Sequence, residues 1–162
     1  MIMNELEYFK NFNLGREIDL AGSFAYNALS FINSSHDVYM NDQIFMFLYN
    51  ASVAVERMQK CVLFIFGEYN KDNFAEFAIT LKSHDHQKLQ SCIFKYTHKK
   101  LSEEQNSLII LMRDFYSEGR YSNYSMDSTY NYENALETYV KANYGKSMVV
   151  PDFLGTGNVI VE

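Results

Sequence analysis

Three short stretches of this chain hold the residue types that chemistry near neutral pH needs. His84-Asp85-His86 places two imidazoles two residues apart. Imidazole is the side chain whose ordinary pKa lets it exchange protons near pH 7, so His84 and His86 are candidate general acid–base groups. Gly119-Arg120-Tyr121, followed by Tyr124, sets a guanidinium among phenol rings. Arg and Tyr together can hold a nucleotide base and its phosphate, and Arg120 could also contact a phosphate during catalysis. The plainer role for Arg120 is to close a bundle end by hydrogen-bonding helix carbonyls. The third stretch is Glu56, Arg57 and Lys60, in the middle of the otherwise apolar run Asp42–Tyr69. Charges so placed must be paired, lie at a partner interface, or line a site. Glu56 and Lys60 have the i,i+4 spacing of a helical ion pair.

Other chemistries lack their signatures. Carboxylate-bridged metal bundles need Glu-x-x-His pairs, and no Glu here has a His three residues later. His84-Asp85-His86 alone supplies too few donors for zinc and reads as a polar helix junction, so no metal site is expected. There is no GxSxG elbow, and neither Cys61 nor Cys92 sits near a His. Phosphate-cradling glycine loops are missing, and no cofactor is expected. Both cysteines fall in helical patterns, which suits buried reduced thiols and a cytoplasmic location.

The net charge of −6 argues against unspecific nucleic-acid binding by the whole surface. The charge is uneven, however. Lys82, Lys88, Lys95, Lys99 and Lys100 share their stretch with one acid, Asp85, so that segment is +4 and the remainder −10. A basic face that takes RNA is therefore one option, with a solvated lysine surface as the other.

The elements that must position these residues are helices. One proline and seven glycines in 162 residues leave little room for a β-sandwich, and strongly periodic apolar segments point to an all-α domain. The pattern predicts helices over about Arg16–Asn33, with Ile18, Ala21, Ala25, Ala28, Leu29 and Ile32 as spine, and over Asp42–Tyr69. The spine of the second is Ile44, Leu48, Ala51, Val55, Met58, Val62 and Ile65, with Asn41 or Asp42 as cap. A short helix follows over Phe74–Lys82, and another restarts after the Ser83–His86 break. Ser102-Glu103-Glu104-Gln105 is a capping box for a fifth helix that stops near Gly119. Arg120–Thr129 reads as loop, and a sixth helix spans about Asn131–Tyr144, with Gly145 suited to its C-terminal turn. The expected organisation is one helical-bundle domain over 1–145 and an extended or disordered tail over 146–162. The abrupt end at Val161-Glu162 is what a piece of a longer protein would show. The N-terminus lacks the charged and apolar regions of a secretory signal. The longest strongly apolar run, Cys61–Phe66, is too short to span a bilayer, so no membrane partner is expected.

Three segments in this order resemble the HEPN superfamily of small α-helical bundles. They are Tyr49–Lys60 with Glu56 and Arg57, Ser83-His84-Asp85-His86-Gln87-Lys88-Leu89, and Phe115-Tyr116-Ser117-Glu118-Gly119-Arg120-Tyr121. The resemblance covers roughly Glu17 to Tyr144. It implies an up-and-down bundle of five to six helices that commonly dimerises. It also implies a role in toxin–antitoxin, phage-defence or CRISPR systems, as a metal-independent ribonuclease or as a non-catalytic domain for binding or assembly. Active members carry an Arg-x4-6-His motif, and none of Arg16, Arg57, Arg113 or Arg120 has a His at that distance. The expectation is thus an all-α, HEPN-like domain without the ribonuclease motif. It would act by binding, as a homodimer or with a protein partner, with RNA or a nucleotide as possible ligand. Glu56, Arg57, Lys60, Arg120, Tyr121 and Tyr124 are its expected binding or interface residues. A divergent ribonuclease using His84 or His86, and an RNA-binding module using the lysine face, are the alternatives.

Overall fold

A computed structural model describes residues 5–33, 41–70, 72–144, 149–150 and 159–160. The chain is an all-α helical bundle, with six helices among the described residues: α1 (Glu5–Asn33), α2 (Asn41–Phe66), α3 (Phe74–Leu81), α4 (His86–Thr97), α5 (Glu103–Ser117) and α6 (Tyr132–Tyr144). A short 3-10 helix, Gly119–Tyr124, joins α5 to α6. The only strands among the described residues are Val149–Val150 and Val159–Ile160, which pair antiparallel. No described helix is long and apolar enough to cross a membrane.

α2 is the central helix and packs on α1, α4, α5 and α6. Glu17 meets Arg57 while Ala28 joins the cluster around Ile44 and Phe47, so α1 and α2 run antiparallel. The apolar residues condense into two cores. One gathers Phe47, Leu48, Leu111, Phe115 and Leu136 from α2, α5 and α6. The other gathers Leu63, Phe77, Leu89 and Ile93 from α2, α3 and α4. Between them α2 buries a polar layer, Ser52, Glu56 and Gln59, against the equally buried His86.

That layer explains where the helical faces depart from the sequence pattern. Ile44 and Leu48 of the expected α2 spine are buried, but Met58 and Ile65 are 47% and 43% exposed. The inward face turns instead through Ser52, Glu56 and Gln59 to Leu63, because the α3–α4 junction offers hydrogen bonds there. α1 starts eleven residues before the expected Arg16 and packs through Ala21 and Ala28. Ile18 and Leu29 remain largely exposed. Small side chains let the α1 backbone approach α2, and the neighbouring apolar stripe is left uncovered.

Other boundaries shift for local reasons. α2 begins at Asn41 itself, with Asp42 in its first turn, and ends at Phe66 rather than Tyr69. A Cβ at Gly67 would lie 2.6 Å from the Phe77 ring, so glycine permits the close approach of α3. The segment after Gly119, expected as loop, winds into the 3-10 helix. Tyr132 donates its hydroxyl hydrogen to the Gly119 carbonyl at 2.8 Å, and Ser122 caps the same carbonyl at 2.9 Å. The expected loop over 34–40, Gly145 and most of the tail lie outside the described residues.

Candidate functional site

The α3–α4 junction is fixed from both directions. Asp85 caps α4, and its carboxylate accepts the N–H groups of Gln87 and Lys88, each at 3.0 Å. His86 is fully buried, and its Nε2 lies 3.0 Å from the Ser52 carbonyl, to which it donates. Gln59 donates to the His86 carbonyl at 2.9 Å. Burial holds the His86 imidazole below its ordinary pKa. The Ser52 hydrogen bond and the charges of Glu56 and Asp85 oppose that shift without cancelling it, and Lys60 adds to it. His86 is therefore a neutral packing residue with no path to solvent, and only His84 is placed to meet a ligand.

His84 stands just outside this anchor and faces Glu56. Its Nδ1 is 3.1 Å from each Glu56 carboxylate oxygen. Glu56 is 8% exposed and also accepts from Lys60 at 2.6 Å. Burial alone would raise the Glu56 pKa. Hydrogen bonds from Lys60 and His84, and their charges, outweigh it, so the carboxyl ends below its ordinary value. An ionised Glu56 fixes a hydrogen on His84 Nδ1 and leaves Nε2 as the nitrogen able to accept a proton.

The end of α5 completes the cluster. The Tyr116 ring stacks on His84 at 5.3 Å with planes 17° apart, and it meets His86 edge-on. One turn later Arg120 lays its guanidinium 3.9 Å above the Tyr116 ring and 4.7 Å from that of Tyr121. Arg120 Nε is buried and has no hydrogen-bond partner among the described residues. A buried N–H left without a partner is unusual in a folded chain. The chemistry assembled is an oriented imidazole, a phenol, a guanidinium and a buried carboxylate.

Of the residues singled out from sequence, Glu56 and Lys60 meet His84 on one side of Tyr116, and Arg120 with Tyr121 lies on the other. Arg57 and Tyr124 do not join them. Tyr124 is 90% exposed on the 3-10 helix. Arg57 turns to α1, pairing with Glu17 beside the Phe24 ring. Its side chain is 32% exposed and that of Glu17 46%. Arg57→Ala is accordingly expected to cost at most about 1 kcal/mol, the value of a solvent-screened pair. Thermal unfolding of the two proteins checks this, and a loss of several kcal/mol would mean that the pair is buried by a partner.

Arg57, Lys60, Glu17, Glu56 and His84 also line a cleft of about 470 Å³ floored by Leu14, Phe64 and Leu81. Among the described residues no group of three or more His, Cys, Asp or Glu is placed to hold a metal ion. Tyr116 was not among the candidates. Its position four residues before Arg120, across the end of α5, was the available signal. The chain matches no family model, no curated protein and no solved structure.

Proposed function

We propose that this chain is a HEPN-like binding domain of a prokaryotic defence or toxin–antitoxin system. In this reading it works in the cytoplasm as a homodimer and takes RNA or a nucleotide at the His84–Tyr116–Arg120 cluster. One observation carries the reading. The three segments on which the family resemblance rests lie far apart in sequence, yet they meet at a single point. Glu56, His84, Tyr116 and Arg120 contact one another in succession there. Arg120 brings a guanidinium charge to the cluster that suits a phosphate, and Tyr121, 57% exposed, offers a ring for a base. The uncovered stripe of α1, with Ile18 and Leu29 exposed and open space above Gly15 and Gly22, supports self-association.

A second reading has its own support. The Glu56–His84 geometry leaves Nε2 free, as a general base that removes a 2′-hydroxyl proton from RNA would require. Arg120 would then face the phosphate, and no metal would be needed.

Light scattering with and without a mixed RNA pool, followed by a gel of that RNA in EDTA, separates the readings. The binding reading expects a dimer that shifts RNA and leaves it intact, with the shift weakened by Arg120→Ala. Cleavage in EDTA that is lost in His84→Ala would replace it with the ribonuclease reading. A monomer that neither binds nor cuts would remove both.

A further inference from the structure

Along the seam between α4 and α5, His84 faces Tyr116 and Gln87 hydrogen-bonds Arg113. Farther along, the two helices part into a groove of about 580 Å³. Phe94 lines it and is 40% exposed. Lys95, Lys99 and Lys100 line it too, and none of the three has an ion-pair partner among the described residues. Gln90 and Asn106 add amides. No carboxylate is in the lining. The three lysines converge because His98 adopts a left-handed φ of 53° as the cap of α4, which turns the chain back toward α5.

Across one stripe of α4 this groove adjoins a second hollow at the α3–α4 junction. Gln87, Ser91 and Lys95 line both the groove and this hollow of about 500 Å³. The far side of that hollow is Ser83 and Asp85, the residues either side of His84. The Asp85 carboxylate is already engaged by the α4 N-terminus and lies 3.8 Å from Lys88. Phe94 is roughly 12 Å along the α4 axis from His86, at 1.5 Å per residue.

We infer that the α4–α5 groove is a track for single-stranded polynucleotide that runs toward the α3–α4 junction, with phosphates on Lys95, Lys99 and Lys100 and an unpaired base on Phe94. Three lysines with no carboxylate in the groove suit a polyanion, and an exposed ring beside them suits a base whose face is free. A duplex keeps its base faces stacked inside, and an acidic peptide has no comparable face to offer Phe94. The inference rests on the proposed role of the His84 cluster and adds the route by which the strand arrives.

Fluorescence anisotropy tests it, using a labelled twelve-nucleotide RNA, the same sequence as DNA, the RNA duplex, and polyglutamate as competitor. The proteins are wild type, K95Q/K99Q/K100Q, Phe94→Ala and His84→Ala, each confirmed folded by its melting curve. Wild type should bind the single strands with an affinity that falls as salt rises. Each phosphate contact on a single strand contributes a slope of about −0.7 in log K against log salt, so the triple variant should be shallower by about 2. Phe94→Ala should bind roughly tenfold more weakly at unchanged slope. Tighter binding of RNA than of DNA supports the track and shows that the 2′-hydroxyl is read, while equal binding supports it as a backbone-and-base contact. Absent single-strand binding overturns it. So does a folded triple variant that binds like wild type, or equal binding of duplex or polyglutamate. If only His84→Ala is defective, the groove falls and the His84 site stands. If only the groove variants are defective, the groove stands and the His84 reading falls.

Discussion

Phe115→Ala is expected to lower the unfolding free energy by about 3–5 kcal/mol, the usual cost of emptying a fully buried aromatic position. Phe115 has no exposed surface. Its ring meets Phe45 edge-on at 5.3 Å and Tyr130 at 6.2 Å, so three elements lose contacts together. A Cβ on Gly119 would lie 2.9 Å from its ring, which means that Phe115 also packs against the start of the 3-10 helix. The truncation therefore loosens the end of α5 and the start of the 3-10 helix, where Tyr116 and Arg120 sit. Ligand binding should weaken beyond what the unfolded fraction explains. Chemical denaturation gives the test: the midpoint should fall at unchanged slope with denaturant. A loss below about 1 kcal/mol would show that the site can close around the missing ring.

The element boundaries were legible where the signal is local. Ser102 and Gln105 form the expected reciprocal box, with Gln105 N–H on Ser102 Oγ at 3.2 Å and Ser102 N–H on Gln105 Oε1 at 3.0 Å. The restart after Ser83-His84-Asp85 is likewise a property of a few neighbouring residues. The buried faces of α1 and α2 were less legible, because periodicity shows that a helix has apolar stripes and not which stripe its neighbours cover. On α2 the covered face includes Ser52 and Gln59, which His86 hydrogen-bonds from 34 residues after Ser52, and Glu56, which His84 and Lys60 hydrogen-bond. The site followed the same division. His84, Arg120 and Tyr121 stood out by residue type. The pairing of His84 with Glu56, and the platform that Tyr116 provides between His84 and Arg120, depend on α2, α4 and α5 meeting.

The buried imidazole that anchors this meeting should make the bundle sensitive to mild acid. His86 is neutral in the folded chain because burial depresses its pKa, whereas the unfolded chain protonates it near the ordinary value of about 6.5. Below that pH the unfolded state binds more protons than the native state, so stability rises with pH and is lost on acidification. The loss approaches about 1.4 kcal/mol per pH unit while only this group titrates. Glu56 acts in a lower window. Its folded carboxyl is held below the ordinary 4.5, so its contribution is complete above that value and is lost as pH falls through the folded one. Melting curves between pH 7 and pH 5 cover the His86 window, where the midpoint should fall, and comparison with His86→Leu separates His86 from the other three histidines. In His86→Leu the hydrogen bond to Ser52 is gone and stability at pH 7 is lower, but the slope over the same range should flatten. A wild type that melts alike at both pH values, or a leucine variant that keeps the wild-type slope, would rule out His86 as the group responsible. Because His86 carries the junction from which His84 projects, ligand binding should fade over the same pH range as the fold weakens, and His86→Leu should separate the two effects.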